Sequence, residues 1–189
     1  MTDLFAPAPT DNILPYDGNV NDLGIVINDA NTLYDTLLNE LPWQSDIVTL
    51  FGKTHVTTRQ IVWMGDADAD YQYSGHTRQT VPWSDIVFHV KQYVEKALAD
   101  IGIAAHFNTC LLNYYPTGTD GMGYHADDEK ELGHQPIIAS LSLGATRNIL
   151  PCMAAAVLAL ACIGHRAAHR TTCHAAIRMR SRLALDIKA

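Results

Sequence analysis

Residues 109–147 read TCLLNYYPTGTDGMGYHADDEKELGHQPIIASLSLGATR. Thr109–Tyr115 and Ile137–Leu143 are short apolar and aromatic runs, and Pro116–Gly121 is a Pro/Gly/Thr/Asp cluster, a pattern that predicts strands and a turn. Gly123–Asp127 reads as a strand or strand end, and Gly144 closes the strand before it. Within this stretch, His125-Ala126-Asp127 carries the chemistry. On an extended chain, residues i and i+2 project to one face, so an imidazole and a carboxylate converge. Two His and one carboxylate on one face of a metal, with other positions open, is the arrangement of non-haem Fe(II) oxygenases. The tripeptide alone is a weak signal, because the run Asp127-Asp-Glu-Lys-Glu131 also reads as a solvated surface turn.

Upstream, the pattern changes to helices. Asn28-Asp29 offers an N-cap for a helix of about a dozen residues with Leu33, Leu37, Leu38 and Leu41 as its apolar stripe, ended by Leu41-Pro42-Trp43. Ser84 caps a second helix on which Ile86, Val90, Val94 and Leu98 recur at spacing four, ended by Gly102. Between them, Ile47–Val56 and Gln60–Met64 read as short strands with a turn at Gly52-Lys53, and Asp66–Asp70 as an acidic loop. Residues 1–20, punctuated by Pro7, Pro9, Pro15 and Gly18, read as an irregular arm. Helices followed by strands predict an α+β fold.

A length of 189 residues suits one domain, and 48% apolar with 17% charged residues suits a packed core. The longest apolar run, Cys152–Ile163, has twelve residues, where a membrane span needs about 20. The start Met1-Thr-Asp-Leu-Phe-Ala-Pro7 lacks the basic and apolar regions of a secretory signal, and four cysteines make no disulfide framework. The expectation is a cytoplasmic monomer with no membrane partner.

The motifs Asn113-Tyr-Tyr115, His125-Ala-Asp-Asp-Glu129 and Ser140-Leu-Ser-Leu-Gly-Ala-Thr-Arg147 occur in order, with Arg59, Gly65-Asp66 and Tyr71-Gln-Tyr-Ser-Gly75 upstream. This set resembles the AlkB family of Fe(II)/2-oxoglutarate dioxygenases over about residues 12–148, most of all its compact DNA-repair branch. The resemblance implies a double-stranded β-helix (jelly-roll) core with the N-terminal helices outside. It implies Fe(II) as cofactor, 2-oxoglutarate as co-substrate and O2 as oxidant. It implies alkylated DNA, or alternatively RNA, as the partner. His125 and Asp127 would be iron ligands, and Asn113 and Tyr115 would hydrogen-bond 2-oxoglutarate. Tyr73 would stack on an extruded base, helped by Tyr71 and Ser74. Asp128 and Glu129 would face the damaged base, Arg147 would lie at the pocket floor beside the iron-binding carboxylate, and Arg59 would lie on substrate-side loops. The residues also admit plainer readings: Tyr71 and Tyr73 packed on a sheet, Asn113 capping a turn, Arg147 in a salt bridge, Arg59 as surface charge. The implied reaction hydroxylates a base N-methyl group, and the product collapses to formaldehyde, with release of CO2 and succinate.

The chain changes character near residue 149. Residues 151–189 carry a net charge of +5 against −12 for residues 1–150, and hold 11 alanines, three of the four cysteines and none of the 15 aromatics. The family closes with a third His ligand and an Arg-x-Asn-Leu-Thr-x-Arg-like strand whose Arg pairs with 2-oxoglutarate, and neither motif stands out after Asn148. The domain organisation read from this is an arm (1–20), a dioxygenase domain (21–148) and an atypical Ala/Arg/His/Cys-rich tail (149–189) in which the last core strands are missing or replaced. The expectation drawn from the break is a reading-frame change near residue 149. The rival is a rebuilt terminus in which His165, His169 or His174 supplies the ligand. Met153–Ile163 reads as a short apolar helix or an exposed apolar segment, and Cys162-x2-His165-x3-His169-x3-Cys173 has zinc-like spacing without supporting context. Two function alternatives stay open: an inactive protein that binds damaged or single-stranded DNA, and a relative that hydroxylates proteins or small molecules. The acidic body argues against easy DNA binding, with Lys53/Arg59 and Arg78/Lys91 as candidate basic clusters.

Overall fold

A computed structural model describes residues 8–14, 19–50, 52–67, 71–73, 76–78, 80–122, 136–145, 157–162 and 182–188. Among the described residues, two helices and ten strands follow one another as β1 (Asn19–Gly24), α1 (Ala30–Glu40), β2 (Gln44–Leu50), β3 (Lys53–Gly65), β4 (Tyr71–Tyr73), β5 (His76–Arg78), β6 (Val81–Pro82), α2 (Asp85–Asp100), β7 (Thr109–Tyr115), β8 (Ile137–Gly144), β9 (Val157–Cys162) and β10 (Arg182–Lys188).

Local chemistry sets the helices. The Asp29 carboxylate accepts from Thr32 N–H at 3.3 Å and the Ser84 hydroxyl accepts from Val87 N–H at 3.4 Å, each satisfying an orphan donor of a first turn. α2 ends where Gly102 takes φ +84°, a left-handed position that a residue with a Cβ adopts only under strain. Its buried stripe is Val87, Val90, Lys91, Val94 and Leu98, so Val87 takes the place expected for Ile86, which is half-buried. Lys91 is tolerated there because its ammonium pairs with Glu95 at 2.8 Å. Glu95 also accepts from Phe107 N–H at 2.8 Å, tying the helix to the chain that enters β7.

The sheet runs β1-β9-β8-β10-β7-β3-β2, with β6 beside β3, and β4 and β5 form a separate pair. β10 is antiparallel to both neighbours, β7 and β8, whereas β9 is parallel to β8 and to β1. The two helices cover one face of this sheet. Leu33 and Leu37 of α1 and Val87, Val94 and Leu98 of α2 pack with Val62 and Met64 of β3, Cys110 and Leu112 of β7, Leu141 and Leu143 of β8, and Leu185 and Ile187 of β10. Each of these side chains contributes roughly 1.5–3 kcal/mol of burial. The α+β expectation is met, and the opposite face of the sheet carries buried polar groups beside a small apolar patch.

Three local expectations change. β3 runs unbroken from Lys53 to Gly65, because β2 pairs with its first half and β7 with its second. Residues 157–162, read from the sequence as part of a short apolar helix or of an exposed apolar segment, form β9 between two strands, since a short apolar run takes its conformation from available partners. The closing strand that no motif revealed is β10, seven residues lying between β7 and β8.

Candidate functional site

Alternation along the strands puts Leu111, Asn113 and Tyr115 of β7 on the face away from the helices, opposite the core set of Cys110, Leu112 and Tyr114. Arg59 and Trp63 of β3, Ser140 of β8 and Asp186 of β10 share that face, and Trp63 and Leu111 form a small apolar patch with Ile61. Asn113 is 1% exposed and Arg59 5%.

These polar groups form one chain of hydrogen bonds. Arg59 pairs through Nη2 with the Asp46 carboxylate, and its Nη1 donates to Asn113 Oδ1 at 3.0 Å. Asn113 Nδ2 donates to Asp186 Oδ2 at 3.1 Å, and Ser140 Oγ donates to Asp186 Oδ1 at 2.7 Å. The amide of Asn113 is therefore held in one orientation, oxygen toward the guanidinium and nitrogen toward the carboxylate. Register explains the reach. Ala184 lies opposite Asn113, and Asp186 lies opposite Leu111 and Ser140, so Asp186 meets Asn113 on the diagonal. Asp46 enters the network at the irregularity between Ser45 and Ile47, where the β2–β3 register shifts and re-aims a side chain.

The turn after β7 is tied to the same place. Thr58 donates to the Asp120 carboxylate, which also accepts from Thr117 N–H at 2.7 Å. Met122 then brings its sulfur 3.6 Å from Arg59 Nη1. On the far side of β7, burial raises the Cys110 thiol well above its ordinary range, and the nearby Asp186 charge adds to the effect.

The residues singled out from the sequence divide into three groups. Asn113, Tyr115 and Arg59 are brought to one face, with Tyr115 half-buried. Arg59 corrects an expectation: it lies in mid-strand, buried and paired, rather than on a substrate-side loop, because an acidic partner waits in β2. It therefore forms no surface basic cluster with Lys53, and Lys91 is likewise buried against Glu95. Tyr71 and Tyr73 lie in β4, opposite Arg78 and His76 of β5. Ser74, His125, Asp127, Asp128, Glu129 and Arg147 lie outside the described residues.

Sequence reasoning passed over Asp46, Asp186 and the strand that carries Arg182. The spacing Arg182-x-Ala184-Leu185-Asp186-x-Lys188 matches the closing pattern at its first Arg and its Leu, and departs from it with Ala184, Asp186 and Lys188. That partial match was the available signal. Arg182 stands opposite Tyr115 in the register.

The donor chemistry suits the groups that the resemblance implies. An imidazole and a carboxylate at 125 and 127 suit Fe(II). The Asn113 amide, the Tyr115 hydroxyl and an arginine opposite Tyr115 suit a dicarboxylate. Among the described residues, no group of three or more His, Cys, Asp or Glu is placed to hold a metal. None of the described helices is long and apolar enough to cross a membrane.

The family model of the 2OG-Fe(II) oxygenase superfamily matches residues 26–182, through both helices and on to the first residue of β10, well past residue 148. Among curated proteins, the chain is 32% identical over 122 residues to alpha-ketoglutarate-dependent dioxygenase alkB homolog 3 of Bos taurus, covering 64% of this chain and 40% of that protein. It is 36% identical over 103 residues to DNA oxidative demethylase ALKBH2 of Homo sapiens, covering 54% and 38%. It is 29% identical over 144 residues to the alkB homolog 3 of Mus musculus, covering 76% and 46%. The chain thus spans less than half the length of these relatives. The superfamily has a jelly-roll core and uses Fe(II), 2-oxoglutarate and O2. The matched span and these relatives agree: the chain belongs to the 2OG-Fe(II) oxygenase superfamily and, within it, to the AlkB family.

Proposed function

We propose that this chain removes alkyl groups oxidatively from nucleic acid bases, with alkylated DNA as the substrate and RNA as the alternative. The observation that carries the reading is the register of β7 against β10 in a chain of this family: Asn113 and Tyr115 on one face, with Arg182 opposite Tyr115. The names of the relatives, a DNA oxidative demethylase among them, support the substrate class.

In this reading, Fe(II) with 2-oxoglutarate and O2 supplies the oxidation of an N-methyl group, which leaves as formaldehyde. The protein's own residues bind and orient. His125, Asp127 and Arg147 serve the metal and its floor. The Asn113 amide, held by Arg59 and Asp186, offers its remaining N–H to the keto acid, and Tyr115 offers a hydroxyl. Tyr73 stacks on the extruded base with Tyr71 and Ser74 beside it, and Asp128 and Glu129 face that base. Burial of Trp63 and Leu111 next to Asn113 supports a site shielded from water. The reading extends to a cytoplasmic monomer, which sizing and fractionation test.

The experiment is direct. The chain is loaded anaerobically with Fe(II) and 2-oxoglutarate, mixed with an N-methylated oligonucleotide and exposed to air. Loss of the methyl mass together with formaldehyde supports the reading. An oligonucleotide that binds and keeps its methyl group points to a binding protein instead. Turnover of 2-oxoglutarate with an unchanged oligonucleotide points to another substrate.

A further inference from the structure

We infer that Arg59 is a positioning residue for the keto acid: its guanidinium fixes which end of the Asn113 amide is offered to the ligand. The inference rests on the reading above, in which Asn113 donates to 2-oxoglutarate.

Three observations carry it. First, Arg59 Nη1 donates to Asn113 Oδ1 at 3.0 Å, while Asn113 Nδ2 donates to Asp186 Oδ2 at 3.1 Å. A guanidinium only donates, so the reversed amide would set N–H against N–H at one end and oxygen against a carboxylate at the other. The amide therefore keeps its oxygen turned inward and has its second N–H for a ligand that accepts, as a carboxylate or keto oxygen does. Second, the guanidinium is itself fixed. Arg59 is 5% exposed in the middle of β3, and its Nη2 pairs with the Asp46 carboxylate. Third, the Met122 sulfur lies 3.6 Å from the same Nη1 that holds Asn113. This nitrogen is engaged within the protein, so its effect reaches the ligand through the amide.

The test titrates 2-oxoglutarate calorimetrically into the full chain under anaerobic Fe(II). The natural sequence is compared with Asn113→Ala, Arg59→Met, and the two substitutions together. Each Arg59→Met protein is also made with Asp46→Asn, which avoids a stranded buried carboxylate, and thermal melts identify which variants are folded. Arg59→Met should weaken binding at least fivefold, because a smaller fraction of the amide then faces the right way. Asn113→Ala should weaken it at least tenfold. Once Asn113 is Ala, adding Arg59→Met should cost less than a further twofold, whereas a general structural role would cost the same in both backgrounds. Iron content after loading and desalting should match that of the natural chain. If folded Arg59→Met binds as tightly as the natural sequence while Asn113→Ala does not, the inference falls and the site stands. The same holds if its effect persists without Asn113, or if iron is lost along with affinity, which would place Arg59's role at the turn leading to His125. If the natural sequence does not bind 2-oxoglutarate, or Asn113→Ala binds it equally well, the reading of the site falls and takes this inference with it.

Discussion

Arg59 Nη1 lies 3.0 Å from Asn113 Oδ1, joining two residues 54 positions apart in the chain and both almost wholly buried. The same guanidinium pairs with Asp46, 1% exposed, so a full ion pair sits inside the sheet beside the amide that the proposed reaction uses. A buried pair stabilises little by itself, but losing one partner strands the other charge.

Asp46→Ala should therefore destabilise the fold by about 3–5 kcal/mol. Urea unfolding measures it. Replacing both members, as Asp46→Ala with Arg59→Met, should recover part of the loss. A single variant within 1 kcal/mol of the natural chain would mean that water reaches the guanidinium.

Gly65 ends β3 where a Cβ would stand 2.7 Å from the Asn108 carbonyl oxygen, an oxygen that accepts from Asp66 N–H at 2.9 Å. Gly65→Ala should cost about 1–3 kcal/mol, the usual penalty of overpacking. A melting temperature unchanged by the substitution would show that the 65–66 turn shifts freely.

Cys110 is fully buried in β7 and its thiol is pushed up by desolvation, then by Asp186. A raised folded value means that the unfolded chain gives up this proton first. Stability from this group is therefore intact below the thiol's ordinary range and is lost as pH rises from that range through the raised folded value. Site-resolved mass spectrometry with iodoacetamide at pH 8 should find Cys110 unlabelled in the folded chain and labelled after denaturation. Equal labelling in both states would contradict the burial.

His125→Ala should abolish Fe(II) binding, because the imidazole is one of the two ligands named at 125 and 127. Metal content after anaerobic loading and desalting is the measurement. Iron retained at the same stoichiometry would remove His125 from the ligand set.

Tyr73→Ala should weaken binding of a methylated oligonucleotide by about 1–3 kcal/mol, the worth of one base stacked on an aromatic ring. Fluorescence anisotropy at fixed salt measures it. Unchanged binding would leave β4 outside the substrate surface.

Much of the frame was legible in the residues alone, because it depends on local chemistry. Ser84 and Gly102 bracket α2 through a cap and a left-handed exit, and Thr109–Tyr115 reads as a strand with no knowledge of its neighbours. Asn113 and Tyr115 then fall on one face by alternation. Less legible was anything whose conformation is borrowed. Arg182–Lys188 matches two of the five fixed positions of the family's closing strand, Arg182 and Leu185, and its strand character comes from β7 and β8 pairing on both sides. Arg59 reads as an ordinary surface charge until a shift of register in β2 brings Asp46 to meet it.

By itself, the order of residues determined the kind of protein: helices that cap themselves, an apolar stripe, an imidazole and a carboxylate two apart, and motifs sufficient to name a family. Only the folded sheet decided which polar groups share a wall, because antiparallel register joins positions 46, 59, 113, 140 and 186 across four strand pairings. Hydrogen bonds act over about 3 Å, and no spacing along the chain encodes a distance that the pairing of strands creates.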